Sequence, residues 1–166
     1  MRAWIPLVIT GLLYAAVLGW AAVALPSDGV PLHFGIDGEA DRFGSRAAAL
    51  WGFGLLGLGM FALFTGLLVA VRRGSLGFVN VPHKDYWTAE ERRPQLRRMV
   101  ATTDLAVLGS ATMALLGAVI VATVSATGGQ ARLPPAFLAV FGLYLVVVLG
   151  WSTWLARRRY RPSDTS

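Results

Sequence analysis

Four stretches of this chain, residues 4–25, 47–71, 105–129 and 133–156, run without a single charged side chain. Each reaches the roughly 20 residues that an α-helix needs to cross the hydrocarbon core of a bilayer. Soluble helices show a polar face on every turn, and buried strands are shorter and broken by turns, so neither description fits these runs. In lipid a helix satisfies its own backbone N–H and C=O groups, whereas an open sheet would leave an edge unpaired. The alternating polarity of a transmembrane barrel is missing as well. The sequence predicts an all-α membrane protein with four transmembrane helices in one integral domain spanning residues 1–166. A hydrophobic share of 55% against 14% charged residues and a mean hydropathy of +0.59 agree with that reading. There is no cysteine, which excludes disulfides, thiolate metal sites and cysteine nucleophiles.

The positions of the charges set the orientation. Arg2, the loop at 72–104 and the tail after Ala156 hold all of the 15 basic residues except Arg42, Arg46 and Arg132. By the positive-inside rule both termini and the 72–104 loop are expected in the cytoplasm, with a short ordered loop at 26–46 outside. The basic excess then reads as a topology signal and an affinity for anionic lipid headgroups. No nucleic-acid-binding motif accompanies the arginines, and no nucleic-acid partner is expected. The expected location is a bacterial plasma membrane, crossed several times. The first span also resembles a secretory signal peptide, with Arg2 ahead of an apolar run and small residues at Ala22 and Ala24. Its length favours an uncleaved signal anchor. Trp4, Trp20, Trp51, Trp151 and Trp154 lie near span ends, where an indole prefers the interface.

Small residues recur at Ser45, Gly52, Gly59 and Gly66 in the second span, and at Ala106, Ser110, Ala114, Ala118, Ala122 and Ala126 in the third. Such stripes let helix backbones approach closely, either within one bundle or against a second copy, so the sequence leaves a homo-oligomer open. Asp104, at the threshold of the third span, is the one candidate for a proton or ion relay, and an arginine pair is the more economical reading of it.

The external loop holds Pro31, His33, Asp37 and Asp41 as binding candidates. Asp37-Gly38, flanked by Ile36 and Glu39, is a two-residue hairpin signal that would set His33 opposite Arg42 and Phe34 opposite Asp41, with His33 and Asp41 diagonal neighbours. Imidazole beside carboxylates suits a divalent cation or a general base. A catalytic zinc site ordinarily uses two or three histidines, so bracing of an ordered cap is the favoured role, with no metal and no cofactor expected. In the cytoplasmic loop Asn80, Lys84, Tyr86 and Trp87 are docking candidates for a protein partner. Thr88 and Glu91 form a capping-box pattern that predicts a short helix starting there, and Pro94 suits the opening of the third helix. No P-loop, GxSxG, HExxH or kinase signature occurs.

The run Leu25-Pro26, Val30-Pro31-Leu32-His33-Phe34, Gly38, Asp41-Arg42 and Gly44-Ser45 directly after a first span resembles the bacterial domain-of-unknown-function 1648 family, DUF1648. That domain also forms the N-terminal part of SdpI-like immunity proteins. The later run from Asn80 to Trp87, with Glu90-Glu91-Arg92-Arg93 behind it, is similar to a segment of many members of that group. The resemblance implies an integral membrane protein without established cofactor or catalytic residues, and, for SdpI-like members, protection against a secreted toxin and membrane capture of a cytosolic repressor. This chain has four spans and lacks the second half that characterises SdpI itself. The expected function is therefore that of a non-enzymatic membrane protein acting in sensing, signalling or toxin immunity through its two loops. The competing expectations are a metal-dependent membrane enzyme using His33 with Asp37 or Asp41, and a small transporter or transporter subunit using Asp104.

Overall fold

With no charge to solvate and no proline beyond their first turns, the four apolar runs close their backbone bonds locally and become helices. The computed structural model describes residues 4–129 and 131–162, so Arg2 of the charge count lies outside the described residues. Helix α1 is Ile5–Ala24 and α2 is Arg46–Arg73, close to the expected spans. The third span, expected apolar over 105–129, lies in a helix that opens earlier, at Pro94 as expected. After the short α3, Lys84–Thr88, helix α4 opens at Arg93–Met99 with Pro94 in its first turn and continues through a π-helical turn, Val100–Asp104, into α5, Leu105–Ala126. Helix α6, Pro135–Trp154, likewise ends in a π-helical turn, Leu155–Arg159. Four of these continuous helices are long and apolar enough to cross a membrane.

The short helix at the basic end precedes the expected capping box instead of following it. The Thr88 hydroxyl donates backward to the Lys84 carbonyl at 2.9 Å and so closes α3. A hydroxyl engaged with the preceding turn is not available as an N-cap acceptor for the next helix.

Three helices form the core, with α5 packed against both α1 and α2. Close approach is obtained by aromatic rings set over glycines. A Cβ on Gly57 would collide with the Tyr14 ring, one on Gly11 would stand 2.8 Å from Phe61, and one on Gly109 would stand 2.9 Å from Phe64. Room at Gly57 lets the Tyr14 hydroxyl donate to the Phe53 carbonyl, one turn earlier, at 2.6 Å. The stripe of Gly52, Gly59 and Gly66 takes no part in this. Added side chains there would meet open space, so these glycines face outward from the bundle. Helix α6 packs on α5 and has no buried residue.

At one end of the bundle the segment between α1 and α2 forms a two-stranded antiparallel hairpin, β1 at Val30–Phe34 and β2 at Ala40–Gly44. At the other end the basic residues gather around α3, α4 and the tail.

Candidate functional site

The hairpin is a cap whose inner face belongs to the bundle core. Leu25 and Val30 are buried with Ala21 and Ala49, and Pro31 is among the most buried side chains of the molecule. Pro31, expected on an exposed binding loop, is thus an anchor that plugs β1 onto the helices. The hairpin is fixed at its base and at its turn. The Ser45 hydroxyl accepts from Ala48 N–H and starts α2, Arg46 N–H donates to Ser27 O at 2.9 Å, and the Arg46 guanidinium reaches Ala22 O at the end of α1. From the far side the α5–α6 connection clasps the turn. Ala40 N–H donates to Ala131 O, Leu133 N–H donates to Gly38 O, and the Arg132 guanidinium donates to Asp37 O.

The register agrees with expectation at His33 opposite Arg42, but Phe34 lies opposite Ala40 instead of Asp41. The turn is longer than two residues. Gly38 N–H donates to Gly35 O, Gly35 N–H donates to Glu39 O, and Gly38 takes φ +80°. A glycine in the left-handed region following a tighter turn is the pattern of a three-residue loop with a bulge. The Asp37 carboxylate, expected to bind a ligand, accepts from Glu39 N–H at 3.1 Å and stabilises this turn. Its Oδ1 occupies the space above Gly35 that a side chain would need.

His33 and Asp41 do meet. His33 Nδ1 lies 2.6 Å from Asp41 Oδ1, with the two side chains 55% and 56% exposed. An exposed polar contact of this kind contributes little to stability. Around it the outer surface is partly apolar, with Ile36 fully exposed at the tip and Leu32 and Phe43 also exposed. Among the described residues no three His, Cys, Asp or Glu side chains gather into a group suited to a metal ion.

At the basic end, Trp87 is buried and its indole N–H donates to Tyr160 O at 3.0 Å, so this expected docking residue belongs to the local core. Tyr86 packs edge-on against Trp87 and carries the Arg92 guanidinium 4.0 Å above its ring. Asn80 is exposed, and Lys84 donates to Gly77 O. The buried Asp104 accepts from the Tyr160 hydroxyl and lies 3.3 Å from Arg159 Nε. Burial first, and then the bond to Asp104, hold the Tyr160 phenol far above its ordinary range, so it stays a neutral donor. The arginine pair expected for Asp104 is thus met through Arg159 in the tail. Arg97 donates to Val71 O and Gly74 O and closes the end of α2. The sequence reading missed Arg159 and Tyr160, since no local pattern links Tyr160 to an aspartate 56 positions earlier.

Residues 7–58 match the model of a domain of unknown function, DUF1648. No curated protein and no solved structure matches the chain. The matched stretch runs from the first turn of α1 through the whole hairpin and into the opening turns of α2, so this part of the chain is what is similar to DUF1648.

Proposed function

We propose that this protein is a non-enzymatic multi-pass protein of the bacterial plasma membrane, in which the hairpin faces outward as a recognition surface and the basic end faces the cytoplasm and passes on what the hairpin meets. The observation that carries the reading is the contrast between the buried root of the hairpin and its exposed remainder. At the root, Val30 and Pro31 are buried against the helices. Beyond it, Ile36 and Phe43 are exposed, as is the His33–Asp41 pair. Exposed apolar side chains beside a polar pair offer a partner both area to bury and a polar contact to orient it. The two ends are mechanically continuous. Helix α5 touches β1 at the hairpin end and runs without interruption from the π-helical turn that holds Asp104 at the other.

The test is photocrosslinking in membranes of the native producer, with a photoreactive residue at Phe43 or, separately, at Asn80. The expected outcome is a discrete partner captured at Phe43 and lost in a His33→Ala/Asp41→Ala background whose folding is unchanged. Capture that survives the double substitution would remove the pair from the recognition surface. A secreted toxin captured at Phe43 would specify immunity. Absence of any adduct at either position would overturn the reading.

A further inference from the structure

At the basic end a cavity of ≈ 440 Å³ opens between the connection at 75–77 and helices α3 and α4. Lys84, Arg93 and Arg97 line it together with Ser75 and Thr88, and no acidic side chain does. Each cation is held in place by backbone oxygen. Lys84 Nζ donates to Gly77 O at 2.6 Å, Arg93 Nε to Thr88 O at 2.7 Å, and Arg97 to Val71 O and Gly74 O. A lysine ammonium keeps donors after one such bond, and a guanidinium keeps more. The ion pairs found among the described residues are His33–Asp41 and Arg159–Asp104, and neither involves these three cations.

Three cations lining one recess give it a positive potential that favours an anion there. The neutral carbonyl partners orient the side chains without supplying that negative charge. We propose that this cavity binds a phosphate group, with Lys84 and Arg93 as its principal ligands and the Ser75 hydroxyl as a further donor. Arg97 contributes charge while capping α2. Forked guanidinium donors and a compact ammonium are the side chains suited to phosphate oxygens. The cavity sits where α2 ends and the third membrane helix begins, beside the exposed Phe78, at the level expected for headgroups. The phosphate can come from a lipid phosphomonoester or from a soluble phosphate. The site depends on the membrane placement of the basic end and not on recognition by the hairpin.

The experiment uses the full chain in phosphatidylcholine nanodiscs doped with phosphatidic acid. Native mass spectrometry then reads the lipid retained, and ³¹P line broadening of inorganic pyrophosphate is measured with undoped discs. Wild type should retain phosphatidic acid over phosphatidylcholine, broaden the pyrophosphate line, or do both. The first result identifies a headgroup and the second a soluble phosphate. Lys84→Gln/Arg93→Gln keeps side-chain donors for the carbonyls and should weaken retention roughly tenfold, the loss expected for a charge-assisted hydrogen bond. Arg158→Gln, an exposed charge outside the cavity, should leave it unchanged. Equal losses in both variants would mean a diffuse field and overturn the site. So would a wild type that retains neither lipid preferentially and leaves pyrophosphate sharp, a result that needs no variant to fold.

Discussion

Gly57 and Gly59 separate two meanings that a small residue can have in one membrane helix. At Gly57 the Tyr14 ring occupies the volume that a Cβ would take, and the ring's hydroxyl is bonded to Phe53 O. At Gly59 nothing stands within reach. Gly57→Ala should therefore cost about 1–3 kcal/mol through overpacking and lower the melting temperature of the purified protein. Gly59→Ala should be neutral or slightly favourable through helix propensity. Equal melting temperatures in the two variants would mean that Tyr14 has another low-energy position. The spacing of small residues drew attention to Gly52, Gly59 and Gly66, and this stripe is the outward one. Periodicity identifies a face but not what the face meets, and the deciding contact comes from a tyrosine on another helix. Pro31 and Trp87 show the same limit. Their residue types suited exposed binding or docking, but tertiary packing buries both.

Among the elements, the two π-helical turns are what no sequence pattern announced. One extra residue in a turn rotates the following face by about 100°, which re-aims the side chains at the turn. Asp104 closes one such turn and Arg159 the other, and the two meet next to Tyr160. Asp104→Ala would leave Arg159 without its partner and Tyr160 without its acceptor. The expected loss is roughly 2–3 kcal/mol, less than for a fully enclosed pair because Arg159 keeps some exposure. Asp104→Asn retains an acceptor for Tyr160 and should cost less. Thermal unfolding in detergent and proteolysis of the tail read both effects. An Asp104→Ala protein as stable as wild type, with its tail still protected, would show that Trp87 and Tyr160 hold this end without the carboxylate. The hairpin, in contrast, was legible. Glycines and prolines ended α1, and Asp37-Gly38 marked the turn. The turn came out one residue longer than expected because Gly38, in the left-handed region, extends it.

For the molecule as a whole, orientation is the property on which both proposals about the two ends can be checked directly. The chain contains no cysteine, so single reporters can be placed without background. Ile36→Cys at the hairpin tip and Asn80→Cys at the basic end are both exposed positions. In intact spheroplasts a membrane-impermeant maleimide should label Ile36→Cys at once and Asn80→Cys only after permeabilisation. The reverse order would invert the molecule and place the phosphate cavity on the outer side.

By itself the sequence determined that four charge-free runs become membrane helices, that a turn-rich segment separates the first two, and that basic residues concentrate at one end. These are consequences of what lipid and water will each solvate, and they act on every residue independently of its distant neighbours. Packing between elements settled which glycines are covered and which are bare, that Pro31 anchors the hairpin on which His33 and Asp41 stand exposed, and that Arg159 answers Asp104. Lipid cannot sort one apolar helix face from another, so the choice falls to ring-against-glycine packing and to a few buried polar bonds between helices.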